Sequence, residues 1–283
     1  MKFMSMRRQY LMFVFLCTAM LCIFGVGKSF AQHPTVDVAV PVYKSIFLEQ
    51  AYDHYKVKSS ASHAVSRRGV ELYLKNDLIN QAYDFLGKRN EDIDVGEIDA
   101  VIVDLQEKRN FVHFLGKDVT GGLKGVFGVE IIGKRMTYVH FPKVPEYIEE
   151  MYNIYVLAHK SVKGPCQLDY NMIVLHEDGQ YLVYNVVAEP HDKSVIVGGH
   201  FLLKMARDTK TGKLKINEYK PFDTLCVPVN KSLIDDDGRI ALNYAAFPSE
   251  IHSFLSLQYE LPILINTGVD KWEVSKGLIK RIH

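Results

Sequence analysis

The runs that decide the fold are Tyr-Asn-Met-Ile-Val-Leu-His at residues 170–176 and Gln-Tyr-Leu-Val-Tyr-Asn-Val-Val at residues 180–187, separated by Glu-Asp-Gly. Both runs are rich in β-branched and aromatic residues, which favour strands. An Asp-Gly pair between two such runs is a strong short-range signal for a β-hairpin. The sequence therefore predicts a hairpin over residues 170–187.

A second strand pair follows immediately. Residues 194–205 are rich in apolar side chains, residues 208–212 are typical of a turn, and residues 214–219 alternate apolar with polar side chains. Together with the first hairpin, this block predicts up to four strands of an antiparallel sheet.

The same pattern of strands and turns recurs on both sides of this block. Residues 100–115 and 124–141 each read as a hairpin, and residues 272–274 and 278–282 read as two short final strands. For residues 249–257 the pattern fits either a strand or a helix capped by Ser249.

Three segments have helical periodicity. They are residues 42–55, residues 66–87 with Ser66 as the cap, and residues 145–161, which carry acidic side chains near the start and basic ones near the end. The predicted fold class is α+β, with N-terminal helices, an antiparallel sheet built from hairpins, and one long helix at 145–161 packed on that sheet.

Residues 1–31 have the pattern of a secretory signal peptide. Basic residues precede an apolar run at 10–26, and Ser29-Phe30-Ala31 provides small residues at the cleavage positions. We expect cleavage after Ala31 and a periplasmic or secreted product; the alternative is that the apolar run is retained as an anchor. After cleavage no membrane insertion is expected, because no second apolar run of spanning length follows.

The mature chain, residues 32–283, is expected to be a single α+β domain in which residues 42–87 could form a separable helical lobe. It has 30 Lys and Arg against 33 Asp and Glu, a net charge of about −3. This balance argues against a nucleic-acid partner, because such partners call for concentrated positive charge. The partner is expected to be another protein or a small-molecule ligand.

Two cysteines, Cys166 and Cys226, remain after cleavage. In an oxidising compartment we expect them to form one disulfide. The alternative, a nucleophilic thiolate, is disfavoured because no His, Lys or Arg stands immediately beside either cysteine.

No local motif predicts a catalytic residue, a cofactor or a metal. Residues 128–135 differ from a phosphate-binding loop because no Ser or Thr follows the lysine. The weak candidates for a metal site are the histidines beside acidic residues or glycines, His176, His191, His200 and His252.

The C-terminal segment Pro-Ser-Glu-Ile-His-Ser-Phe-Leu-Ser-Leu at residues 248–257, with its return strand and Trp-Glu-Val at 272–274, resembles the tail of some exported bacterial proteins of unknown function. This resemblance implies export from the cytoplasm and does not imply an activity. The leading hypothesis is a non-catalytic binding or accessory module. The alternative is a hydrolase or metal-dependent enzyme with a histidine-containing site, which requires at least two of the four histidines to meet in a pocket.

Overall fold

The computed structural model describes residues 36–37, 61–88, 95–141, 143–162, 168–188, 194–222, 228–243 and 247–282. All of them belong to one compact unit, Thr35–His283. The expected signal peptide, the predicted helix at 42–55, His191 and both mature cysteines lie outside the described residues.

The predicted central hairpins form one four-stranded antiparallel sheet, here called sheet B. Its strands are β6 (Tyr170–Glu177), β7 (Gln180–Val187), β9 (Phe201–Arg207) and β10 (Leu214–Pro221), in the order β10-β9-β7-β6. Asp178 and Gly179 both have positive φ, as a two-residue turn between twisted strands requires. Four antiparallel strands are found as predicted, but the predicted run at 194–205 is divided, because residues 194–196 form β8 in another sheet and the strand of sheet B begins at Phe201.

A second antiparallel sheet, sheet A, precedes it in the chain. It has the order β1-β5-β4-β3-β2 and contains both hairpins predicted between residues 100 and 141. Its strands are β1 (Val36–Asp37), β2 (Ala100–Leu105), β3 (Asn110–Lys117), β4 (Leu123–Ile132) and β5 (Arg135–Val139).

Two smaller sheets complete the strands. Sheet C pairs β8 (Ser194–Ile196) with β11 (Pro228–Asn230). Sheet D contains β12 (Ile240–Asn243), β13 (Ile263–Asn266), β14 (Lys271–Ser275) and β15 (Leu278–Ile282), with β12 and β13 parallel. Short 3-10 turns occupy Val95–Glu97 and Lys231–Leu233.

The longest described helix, α1 (Ala61–Lys88), lies in the centre of the molecule. Its side chains contribute to an apolar core shared with sheets A, B and D, and among residues 62–88 only Arg67, Asp84, Gly87 and Lys88 are exposed. Ser66, predicted as the helix cap, lies inside the helix, and its hydroxyl accepts a hydrogen bond from the backbone N–H of Ile279 at 3.1 Å. The helix therefore holds an edge of sheet D as well as the core.

Helix α2 (Glu146–Ser161) is found where the sequence predicts it. Its apolar side chains pack on the outer faces of both large sheets. Ile148 and Tyr152 contact β2, and Ile154 and Ala158 pack with side chains of sheet B such as Val183. One helix thus bridges sheets A and B from outside.

Helix α3 (Glu250–Gln258) resolves the open segment near Ser249 as a helix. It crosses α1 at Gly69, where an added Cβ atom would lie 2.3 Å from the Cβ of Ser253. Only glycine allows the two helices to approach this closely. Among the described residues, no helix is both long and apolar enough to cross a membrane.

The predicted α+β class, with one long helix at 145–161 on a single sheet, is wrong. The described chain is mostly β, with its strands in four sheets, and helix α1 is buried against sheets A, B and D. The helical periodicity of residues 66–87 predicts a helix with one apolar face turned to a core. In the structure the polar residues between those apolar positions, such as Lys75 and Asn76, are buried too.

Candidate functional site

The four candidate histidines occupy different environments. His176 is exposed at the end of β6 and stacks on Tyr181 with ring centroids 4.7 Å apart. His191 lies outside the described residues. His200 and His252 are 0 % and 3 % exposed and lie near each other in the interior, at the start of β9 and in the first turn of α3. The structure therefore brings together two of the four.

His200 holds the turn that joins β8 to β9. Its Nε2 lies 3.1 Å from the carbonyl oxygen of Ile196. Because a carbonyl oxygen only accepts, Nε2 carries the proton in the neutral ring, and Nδ1 is left as an acceptor. Nδ1 is buried and has no hydrogen-bond partner among the described residues.

His252 caps the helix in which it lies. Its Nδ1 is 3.0 Å from the backbone nitrogen of Ser249, which can only donate. Nδ1 is therefore the acceptor, and the neutral ring carries its proton on Nε2. This arrangement satisfies one of the backbone N–H groups that a helix leaves unpaired at its start.

Both rings are strongly biased toward the neutral form. Burial lowers the pKa of His200 to about 4 and also lowers that of His252 to about 4, with His200 adding to the effect on His252. Neutral imidazoles can bind a metal, but zinc needs three or four ligands around one point. The described residues contain no group of three or more histidines, cysteines or acids that could hold an ion.

Sequence reasoning missed a charged cluster next to these histidines. Arg67 and Arg68 of α1 both donate to the carboxylate of Glu177 on β6, with Arg68 Nε at 2.5 Å. Behind them, the hydroxyl of Tyr184 on β7 donates to Glu250 of α3 at 2.8 Å. Burial, followed by the Glu250 carboxylate, raises the pKa of Tyr184. The cluster ties four elements together and carries no local motif, so spacing alone could not reveal it.

A third buried histidine, His113 on β3, was also missed. It is 2 % exposed, and neither ring nitrogen has a hydrogen-bond partner among the described residues. Phe141 covers it with a centroid distance of 4.4 Å, in space left by Gly128 on the neighbouring strand. Burial lowers the pKa of His113 to about 4.

The outermost strand of sheet B is the most accessible feature of this half. β10 pairs only with β9 among the described residues, and most of its side chains are exposed. Residues 201–222, which include both strands, contain six Lys and Arg but two acids. The lysine side chains there and Tyr219, which is 50 % exposed, make a basic surface beside an unpaired strand edge.

The ends of sheet B bear on the predicted disulfide. Tyr170, which opens β6, and Pro221, which closes β10, lie at the same end of the sheet. Three strand spacings separate them, about 14 Å. Cys166 and Cys226 stand four and five residues beyond these two positions, and an extended chain covers about 3.3 Å per residue. The separation is therefore compatible with the bond, which stays a prediction.

Comparison with known proteins gives no relative. No family model, no curated protein and no solved structure matches the chain.

Proposed function

We propose that the chain is an exported, non-catalytic binding or accessory module, periplasmic or secreted, whose partner is a protein that engages the free edge of β10. The observation that carries the proposal is that β10 has exposed side chains and pairs on one side only within the part of the chain that the structure describes. Backbone N–H and C=O groups along a sheet edge can pair with an extended segment of another chain.

The charge of this edge selects among partners. Lys215 and Lys220 stand on β10, and like charges disfavour the pairing of two identical edges. A β-bulge between Ile216 and Glu218 interrupts the strand in the same way. An acidic segment meets attraction at the same surface. The edge thus disfavours a second copy of the chain and favours an acidic partner.

The buried histidines support the module over the enzyme. His200 and His252 each use a ring nitrogen to hold a backbone atom, at Ile196 and Ser249. Both rings are almost fully removed from solvent. The enzyme hypothesis requires the pair to face a pocket that a substrate can enter.

Photo-crosslinking tests the edge directly. A photoreactive phenylalanine replaces Tyr219 on β10 in one variant and Tyr147 on α2 in the control, because these tyrosines are 50 % and 47 % exposed. Irradiation in the compartment of origin is expected to give a discrete adduct from position 219 and none from position 147. Equal crosslinking at both positions, or none at either, would contradict the proposal.

Mass spectrometry of the mature protein under native conditions separates the two functions and tests export. The expected mass begins at Gln32 and is two hydrogens light, as one disulfide requires. Retention of a stoichiometric metal that is lost in both His200→Ala and His252→Ala would instead establish the metal-dependent enzyme. A mass that includes residues 1–31 would show that the N-terminal segment is retained.

A further inference from the structure

Sheets A and B meet along a line where their strands do not pair. β2 is the last strand of sheet A and β6 the last strand of sheet B, and the two approach each other side by side. Among the described strands, β2 pairs only with β3 and β6 pairs only with β7. Each is therefore the edge strand of its own sheet, and no strand ladder joins the two among the described residues. We call this line the β2–β6 seam.

Lys75 of α1 lies at this seam and is 6 % exposed. Its Nζ donates to the carbonyl oxygen of Val174 on β6 at 3.0 Å and lies 3.5 Å from Glu71 one helical turn away. A lysine ammonium group has three N–H donors, so these two partners leave one donor to be satisfied.

A small cavity lies beside Lys75. Its walls are Lys75 and Ile79 of α1, residues 101–103 of β2 and residues 172–174 of β6, and its volume is about 10 Å³. A cavity of roughly 10–15 Å³ is the smallest that holds one water molecule. The space is therefore of the size that holds one water molecule.

The walls also have the required chemistry. A buried water needs two to four polar partners, and an empty cavity is stable only when its walls are apolar. Here the walls include the buried amino group of Lys75 and residues of two edge strands, β2 and β6.

We propose that this cavity binds one ordered water molecule, which bridges Lys75 Nζ to backbone groups of β2 and β6 and so joins the two sheets. Burial lowers the pKa of Lys75, and Glu71 and Asp104 are the acidic groups that oppose this effect. The water offsets part of the desolvation of the amino group. The seam is then closed by hydrogen bonds through solvent in place of a direct strand ladder.

A crystal structure at a resolution that shows waters tests the site. The expected result is a density peak within 3.2 Å of Lys75 Nζ and of at least one backbone N or O atom of residues 101–103 or 172–174. A cavity without density, or direct hydrogen bonds between β2 and β6, would overturn the proposal.

Water relaxation dispersion provides a second test, because it counts long-lived buried waters in solution. Lys75→Met is expected to reduce the count by one, whereas Lys88→Met, at an exposed position of the same helix, leaves it unchanged. If Lys75→Met does not fold, Val103→Ile fills the cavity wall and is expected to give the same loss. An unchanged count in every folded variant would overturn the proposal.

Discussion

Strands β2–β5 form one antiparallel meander and strands β6, β7, β9 and β10 form another, and their first strands lie side by side at the β2–β6 seam. Each meander follows a helix in the chain, α1 before the first and α2 before the second. The helices lie on opposite faces, since α1 packs inside and α2 packs outside. The two halves therefore share a strand plan and differ in what covers them.

The differences concern edges and buried polar groups. In the first meander β5 pairs with β1, whereas the last strand of the second, β10, is free on one side among the described residues. The first buries His113 between aromatic rings, while the second packs against the charged cluster and against His252. The two meanders therefore have the same strand order, and they differ in the buried polar side chains packed against them and in whether the last strand is paired.

The largest expected effect is loss of stability in acid. The folded pKa values of His113, His200 and His252 are about 4, below the ordinary value of 6.5. Between these values the unfolded chain binds more protons, so unfolding is favoured as the pH falls from 6.5 to 4. Each histidine contributes about 3 kcal/mol to this loss, and three such losses rival the whole stability of a typical domain.

Urea unfolding at pH 7, 5.5 and 4.5 measures this effect and assigns it to one half or the other. His113→Phe is expected to reduce the pH dependence by about a third, and the remainder belongs to His200 and His252. His176→Phe, at an exposed position, serves as the control for the substitution of histidine by phenylalanine. A stability that does not vary over this range would show that the buried rings are solvated.

The second largest loss of stability is expected when a side chain is added where α1 and α3 cross. Gly69→Ala places a Cβ atom 2.3 Å from the Cβ of Ser253 and 2.6 Å from the backbone oxygen of Glu250. Since backbone has to move, we expect a loss of about 3 kcal/mol in the free energy of unfolding. Glu250 also bonds Tyr184 of the second meander, so the damage should spread to that half.

Gly87→Ala is the matched control, because it lies in the same helix and its Cβ atom would meet nothing within 4 Å. Alanine favours a helix over glycine, so this variant should be neutral or more stable by up to about 1 kcal/mol. Hydrogen exchange of β7 amides reports whether the second meander loosens in Gly69→Ala. Equal stability of the two variants would mean that α1 and α3 are not in close contact.

The hairpins were readable from the sequence because their signals are local. Asp178-Gly179 and the β-branched and aromatic runs beside it predict the hairpin of β6 and β7. The central position of α1 was not readable, because Lys75 and Asn76 are polar and their burial depends on carbonyl oxygens of Val174 and Ala188, far along the chain. The meeting of His200 with His252 likewise depends on packing between elements that no spacing records.

A smaller loss of stability is expected for a substitution beside Phe141, whose ring packs on the first meander. Gly128→Ala places a Cβ atom 2.1 Å from a ring carbon of Phe141, and a side chain can move where backbone cannot. We expect a loss of about 1–2 kcal/mol. Displacement of the ring admits water to His113, so its pKa should rise from about 4 toward 6.5.

An NMR titration of the histidine rings follows that pKa in the variant. Gly125→Ala, on the same strand, is the control, since its nearest neighbour would lie at an ordinary 3.5 Å. The pKa of His113 should stay near 4 in the control. A pKa that stays low in Gly128→Ala as well would show that Phe141 is not what excludes water.

The smallest effect on stability is expected for substitutions on β10, whose outer edge is open among the described residues. These substitutions test why the two meanders differ in the pairing of their last strands. Lys215→Val with Lys220→Val removes two positive charges and favours strand structure, so the monomer should fold within about 0.5 kcal/mol of the parent. Without the repulsion, two edges can pair, and sedimentation velocity should show dimers or larger species. Lys108→Val with Lys134→Val, at exposed turn positions of the first meander, removes the same charge away from an open edge. Self-association of only the first double variant would show that the lysines of β10 prevent pairing between two copies. Association of both double variants would assign the effect to net charge. Association of neither would assign it to the β-bulge.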